Sequence, residues 1–237
     1  MVWGGIYVGI WDGSSWSGPS SVFDEGWKLP SGTELAPIDG GPAYPTVPVD
    51  DPCASVEPGD EAGAVSGLSW EALPRTSRAI SPVPAHERSA ADVLRSEGLT
   101  DPTPSINEVI QIDLEGDGTD EAIIVATNGS EPYFASKAGD HSLIVMRRLE
   151  DGNLEEVPLF VNATSDAEAE AAGPAEAAPN LAAVPLAVAT LEGVADLNGD
   201  GTLEVVIRLR GNSFANVLVY DLVEGLAEPV LDVGCGW

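Results

Sequence analysis

Basic residues are scarce in this chain. Its 237 residues include 10 Lys plus Arg against 39 Asp plus Glu, which gives a formal net charge of -29. Nucleic acid is therefore not an expected partner, because phosphate binding needs clustered Lys and Arg. Such a charge keeps a protein soluble but destabilises the compact state through self-repulsion, which bound divalent cations would relieve. The composition favours a calcium-rich, extracellular setting, either secreted or at the cell surface.

Long apolar runs are also missing. No stretch of about 18 apolar residues is present, so no transmembrane segment is expected. The first residues lack a charged region and a small-residue cleavage site, and so do not form a signal peptide. They predict a strand followed by a turn at Asp12, with apolar residues at Trp3, Ile6, Val8 and Ile10. We expect the mature part or a fragment of a longer secreted protein, with a cytosolic protein as the alternative.

Cysteine is rare, since Cys53 and Cys235 are the only two. A zinc cluster would need short Cys-x-x-Cys spacing, which these two residues do not have. One disulfide between them is expected in an oxidising compartment, where it would stabilise the fold by roughly 3–5 kcal/mol in the chain-entropy model. Two buried free thiols are the alternative.

Signatures of catalysis are absent from the sequence. His86 and His141 are the only histidines, and neither lies beside a serine or cysteine motif. There is no Gly-x-Ser-x-Gly, no His-Glu-x-x-His and no phosphate-binding glycine loop. We therefore do not expect an enzyme. The alternative is a secreted, glycan-active hydrolase, because two suitably spaced carboxylates among the many acidic residues would suffice for it.

Composition divides the chain into five segments. They are a coil-rich, Trp-containing region with an N-terminal strand (1–84), a helix at 87–98 with its connector (85–104), a β unit (105–161), an Ala/Glu/Pro linker (162–184) and a second β unit (185–237). The linker is expected to be a surface loop, in which Pro174 and Pro179 limit the length of any helix.

Strand-like apolar and β-branched runs, joined by Gly-, Asn- and Asp-containing turns, predict four strands in each β unit. The predicted strands are 108–113, 121–127, 142–149 and 154–161, and then 185–195, 203–209, 216–222 and 229–233. The expected fold is therefore mainly β, with two four-stranded antiparallel units packed together. The N-terminal strand and the helix are expected to cover exposed sheet edges.

An internal repeat is the clearest feature of the sequence. The segment VIQIDLEGDGTDEAIIVA aligns without a gap with EGVADLNGDGTLEVVIRL, and Asp113 and Asp196 lie 83 positions apart. Each copy contains a loop of the form Asp-x-(Asp/Asn/Glu)-Gly-Asp-Gly-Thr-x-Glu. We call residues 113–121 loop 1 and residues 196–204 loop 2.

The spacing of oxygen-bearing residues in each loop is typical of calcium binding. Positions 1, 3, 5 and 9 offer side-chain oxygens and position 7 a backbone carbonyl, while glycines at positions 4 and 6 permit the tight turn. The expected ligands are Asp113, Glu115, Asp117, the Thr119 carbonyl and Glu121, and then Asp196, Asn198, Asp200, the Thr202 carbonyl and Glu204. Without a cation these carboxylates would repel one another, and some would take up protons. We predict two structural Ca²⁺ sites, because Mg²⁺ demands octahedral order and zinc or copper would want His or Cys.

The first six positions of each loop also resemble an EF-hand. An EF-hand needs Glu at position 12 and flanking helices, whereas Ile124 and Ile207 occupy that position in β-branched runs. The sequence thus predicts calcium loops that join β-strands.

At these residues the chain resembles the FG-GAP or VCBS repeat family, the integrin-α-type propeller repeats. In that family an Asp-x-Asp-Gly-Asp-Gly-x-x-Asp loop connects the first two strands of a four-stranded blade. The resemblance covers 108–161 and 185–233 and implies the ligand positions named above. Glu115 replaces the usual Asp or Asn, position 9 is Glu in both copies, and two copies cannot close a propeller, so no closed propeller is predicted. The ending VLDVGCG also resembles secreted bacterial proteins that carry such repeats.

The expected function is that of a structural calcium-binding module, a monomer with an unknown protein or glycan partner. The six tryptophans could form an aromatic platform for that partner, although a role in the core is the alternative. A third possibility is a purely architectural module of a larger envelope protein.

Overall fold

β-Strands dominate the part of the chain that a computed structural model describes. The described residues are 2–3, 6–18, 34–38, 44–45, 63–65, 67–129, 137–150, 152–172, 186–211, 214–223 and 226–236. Their strands pair antiparallel in separate sheets, and no closed barrel or propeller forms among them. The structure confirms the predicted fold class.

The described part of the N-terminal region contains short strands. They are β1 (Val2–Trp3), β2 (Ile6–Tyr7), β3 (Ile10–Trp11), β4 (Trp16–Ser17), β5 (Glu34–Pro37), β6 (Tyr44–Pro45) and β7 (Gly63–Val65). The structure divides the predicted N-terminal strand into three two-residue strands. A Cβ at Gly9 would lie 2.8 Å from both the Leu231 side chain and the Ser17 carbonyl. This close approach of the backbone interrupts the strand, and β3 and β4 form a hairpin around the predicted turn at Asp12.

The predicted helix is present as α1 (Pro84–Ser96). It begins three residues earlier than 87–98 because Pro84, with its fixed φ, suits the first helical position. Gly98 follows the helix with φ 87°, as its C-terminal glycine signal predicted.

Both β units contain all their predicted strands, and most of these have shifted ends. The first unit has the strand order β12-β11-β10-β9-β8, and its strands are β8 (Arg78–Ala79), β9 (Ile106–Ile112), β10 (Glu121–Thr127), β11 (His141–Glu150) and β12 (Asn153–Ala163). The second unit has the order β13-β14-β15-β16, with β13 (Val188–Ala195), β14 (Glu204–Arg210), β15 (Phe214–Val223) and β16 (Leu226–Gly236). The first unit gains β8, which is too short for a periodic pattern to show.

The predicted linker begins with a helix, α2 (Asp166–Ala172). Ser165 and Glu168 form a capping box, in which Glu168 Oε2 accepts the Ser165 N–H at 2.9 Å and Ser165 Oγ accepts the Glu168 N–H at 3.2 Å. The remainder of the linker, 173–184, lies outside the described residues.

The two units share one hydrophobic core and are covered on their outer faces. Ile123 and Val125 of the first unit and Val205 and Ile207 of the second lie in the shared core. On the other face of the first unit, α1 packs against Ala126, Leu143 and Val145. On the other face of the second unit, Val8, Trp16, Ile38 and Leu68 pack against Val206, Val217 and Val219. The helix and the N-terminal segment thus cover sheet faces, and the prediction that they cover sheet edges was wrong.

The units stack head to tail. Ile123 and Val206 are equivalent in the repeat, but Ile123 faces the shared core while Val206 faces the N-terminal segment. Equivalent faces therefore point the same way along the stack, an arrangement that can continue through further copies unless its ends are capped. Here α1 caps one end and the N-terminal segment caps the other, which explains how two copies can form a closed core.

Candidate calcium sites

Each predicted calcium loop connects the first two long strands of its unit. Loop 1 joins β9 to β10, and loop 2 joins β13 to β14. Strands rather than helices flank both loops, so the structure confirms that they are not EF-hands.

The aspartate at position 1 organises each loop through its own backbone. Asp113 Oδ1 accepts the Gly116 N–H at 2.6 Å, and Oδ2 accepts the Gly118 N–H at 3.0 Å. The same two bonds form in loop 2 at 2.6 and 3.1 Å, from Gly199 and Gly201 to Asp196. The repeat therefore folds the same turn twice.

Glycine is required at positions 4 and 6 of both loops. Their φ angles are 76° and 87° at Gly116 and Gly118, and 83° and 89° at Gly199 and Gly201. This left-handed region is accessible to glycine without strain, whereas a Cβ makes it costly. The glycines of the motif thus permit the turn that aims the carboxylates.

The glutamate at position 9 closes each loop from inside the fold. Glu121 Oε2 accepts the Leu114 N–H and Glu204 Oε2 accepts the Leu197 N–H, both at 2.7 Å. Burial raises the pKa of Glu121 to about 7 and that of Glu204 to about 8. Without a bound cation, both groups would take up protons near neutral pH; burial is the larger cause, and the predicted repulsion between carboxylates adds less.

One oxygen of Glu204 has no partner. Glu204 is 0% exposed, and its Oε1 makes no hydrogen bond. The neighbouring carboxylates Asp221 and Asp200 add to the rise in its pKa. A buried polar atom without a partner costs free energy, and a hard cation is a suitable partner for a carboxylate oxygen.

The aspartate at position 5 of each loop also bonds to its own backbone. Asp117 Oδ1 accepts the Thr119 N–H and Asp200 Oδ1 accepts the Thr202 N–H, both at 2.7 Å. Within the described ranges, no group of three or more His, Cys, Asp or Glu side chains is arranged to hold a metal ion. A carboxylate keeps further lone pairs after accepting one N–H, so these bonds orient the donors without using them up.

Residues 70–75 hold the two loops together, a role that no sequence pattern signalled. Trp70 Nε1 donates to the Asp196 carbonyl at 2.9 Å. Arg75 Nη2 donates to the Leu114 carbonyl at 2.9 Å and to the Gly201 carbonyl at 2.6 Å, so it bridges loop 1 and loop 2. The two predicted sites are therefore neighbours in one structure.

A buried arginine lies beside loop 1. Arg148 is 6% exposed, and its guanidinium forms ion pairs with Glu155 at 2.9 Å, Glu115 at 3.5 Å and Glu150 at 3.6 Å. Glu115 is the predicted ligand at position 3. Sequence reasoning missed Arg148 because it lies on β11, far along the chain from the loop.

Both histidines make hydrogen bonds to backbone. His86 Nδ1 accepts the Val83 N–H at 3.3 Å within the first turn of α1. His141 Nε2 accepts the Ser105 N–H at 3.2 Å. His141 is the buried first residue of β11.

The remaining candidate residues are only partly described. Trp16 packs in the core of the second unit and tilts against Trp11, with ring centroids 5.2 Å apart. Cys53 lies outside the described residues, so its disulfide with Cys235 stays a prediction. No described helix has both the length and the apolar character to cross a membrane.

Comparisons of the chain with protein-family models, with curated proteins and with solved structures give no match. The resemblance to FG-GAP or VCBS repeats therefore stays a prediction that rests on the residues of the two loops.

Proposed function

We propose that the chain is a structural calcium-binding module in which loop 1 and loop 2 each hold one Ca²⁺. The observation that carries the proposal is the unpartnered, fully buried Oε1 of Glu204 beside the carboxylate of Asp200. A cation there removes both the repulsion between carboxylates and the cost of the unpaired oxygen.

The donors to each ion are those at positions 1, 3, 5, 7 and 9 of its loop. Loop 1 supplies Asp113, Glu115, Asp117, the Thr119 carbonyl and Glu121, and loop 2 supplies Asp196, Asn198, Asp200, the Thr202 carbonyl and Glu204. The ion supplies positive charge and crosslinks a turn between two strands, which favours a structural role over chemistry.

We further propose that the module acts outside the cell, is related to FG-GAP or VCBS repeats, and presents a surface to a protein or glycan. The support is the net charge of -29, the loop between the first two strands of each unit, and the head-to-tail stacking of the units. The hydrolase alternative gains no comparable support, because the two glutamates with raised pKa are buried away from any substrate.

Thermal melting of chelator-stripped protein, with and without millimolar Ca²⁺, tests the proposal. Wild type should melt higher with Ca²⁺, and the double variant Asp117→Ala plus Asp200→Ala should lose that gain. The matched control is Asp120→Asn plus Asp232→Asn, since both carboxylates lie outside the donor set. An equal gain in the loop variant and in wild type would contradict the proposal.

A further inference from the structure

The two loops differ in the residue that the neighbouring strand places beside position 9. Arg148 directly follows the residue of β11 that pairs with Ala122. Asp221 directly follows the residue of β15 that pairs with Val205. Ala122 and Val205 are equivalent in the repeat, so Arg148 and Asp221 occupy equivalent places next to Glu121 and Glu204. One site has a cationic side chain where the other has a carboxylate.

Arg148 already supplies positive charge to loop 1. Its Nη1 lies 3.5 Å from Glu115 Oε1, and both its Nη1 and its Nε are buried without a hydrogen-bond partner. A guanidinium cannot lose its proton in a protein, so the charge is permanent. The guanidinium pairs with Glu115, which is one of the proposed donors, and its charge repels a cation that binds in loop 1.

Asp221 adds negative charge to loop 2. It is half-buried and lies across from Glu204 in the pairing of β14 with β15; besides burial, its charge raises the pKa of Glu204, and that of Asp200 raises its own. Four carboxylates therefore surround this site, from Asp196, Asp200, Glu204 and Asp221. Arg75 does not distinguish the loops, because it donates to a carbonyl of each.

We propose that Asp221 is a fifth side-chain donor to Ca²⁺ in loop 2, which makes loop 2 the high-affinity site, and that Arg148 makes loop 1 the weak one. Ca²⁺ accepts six to eight oxygen ligands, and affinity rises with the charge they carry, so the site can use a donor from outside the loop. This inference rests on the proposed function and adds to it an order of occupancy: loop 2 fills first.

Calorimetric titration of chelator-stripped protein with Ca²⁺ tests the inference. Wild type should show two events that differ by about tenfold or more in affinity. Asp221→Asn should weaken the tighter event by about tenfold or more and leave the weaker one in place. Asp232→Asn, which removes a charge from the neighbouring strand β16, should change neither event. Arg148→Gln should tighten the weaker event.

Two further variants assign each Ca²⁺-binding event to its loop without the use of Arg148→Gln. Asp200→Ala should abolish the tighter event and Asp117→Ala the weaker one, which keeps the test decisive if Arg148→Gln fails to fold. Two events of equal affinity, or a tighter event that Asp221→Asn leaves unchanged, would overturn the inference while the proposed function stands. Absence of any binding to wild type would overturn both.

Discussion

Loop 1 and loop 2 share a turn but not an environment. Their backbones, glycine conformations and hydrogen bonds at positions 1 and 9 agree closely. Loop 2, however, is more deeply buried, is covered by Trp70 and faces Asp221, whereas loop 1 is more open and faces Arg148. The comparison teaches that a nine-residue motif determines a turn, while the strands and segments around it determine the charge and the burial of its carboxylates.

Removal of Ca²⁺ should produce the largest change in stability. Occupancy of one site at a Ca²⁺ concentration of 100 times Kd stabilises the folded state by about 2.7 kcal/mol. In a chain of this size that corresponds to a fall in Tm of roughly 5–10 °C when a chelator is added. The measurement is a calorimetric melt, and Asp200→Ala should lose more of the effect than Asp117→Ala. A larger loss in Asp117→Ala would reverse the comparison between the loops.

Glycine at position 4 should matter more in loop 2 than in loop 1. Both positions have positive φ, which costs an alanine about 1 kcal/mol or more. A Cβ at Gly199 would lie 2.8 Å from the rigid Trp70 ring, whereas at Gly116 its nearest neighbour is the flexible end of Arg75. We expect Gly199→Ala to cost roughly 1–3 kcal/mol more than Gly116→Ala in urea unfolding. Equal losses of stability in the two variants would show that Trp70 packs less tightly on loop 2 than the structure indicates.

The free energy of unfolding of the protein without Ca²⁺ should depend on pH. This effect should be smaller than the two described above, and it should also differ between the loops. The pKa of Glu204 is raised from 4.5 to about 8 in the folded state, so its contribution to stability is full below pH 4.5 and is lost as pH rises towards 8. Between pH 6 and 7 this one group should lower the free energy of unfolding by about 1.4 kcal/mol.

Glu204→Gln keeps the shape of the side chain and removes its titration. When unfolding is measured in the presence of chelator, this variant should therefore lose the part of the pH dependence of the free energy of unfolding that Glu204 causes. Glu121→Gln is the matched variant in loop 1. Its effect should fade above pH 7, because the pKa of Glu121 is raised only to about 7. A slope that neither variant changes would mean that general repulsion among the acidic residues dominates.

The sequence predicted the β units well because their signals are local. Apolar and β-branched runs between turn residues located every strand from β9 to β16, and β10 was predicted with the bounds it has, Glu121–Thr127. The head-to-tail stacking was not predictable, because apolar residues occupy both faces of β10 and β14 and periodicity alone cannot say which face meets the other unit.

The candidate sites were predictable only within the loops themselves. Positions 1 to 9 are contiguous, so their spacing reveals the turn. Strand pairing brings Arg148 and Asp221 to the loops, and the segment before β8 brings Trp70 and Arg75 to them. No spacing rule in the sequence connects these residues to residues 113–121 or 196–204. The packing of α1 on the face of the first unit was likewise not predictable, because the contacting residues lie far apart in the sequence.

Equilibrium dialysis of chelator-stripped protein against millimolar Ca²⁺, with the bound metal counted by atomic emission, tests the central claim most directly. The account predicts two Ca²⁺ ions per chain in wild type, one in Asp200→Ala, and none in the double variant Asp117→Ala plus Asp200→Ala. A wild-type chain that retains no Ca²⁺, or a double variant that retains as much as wild type, would contradict it.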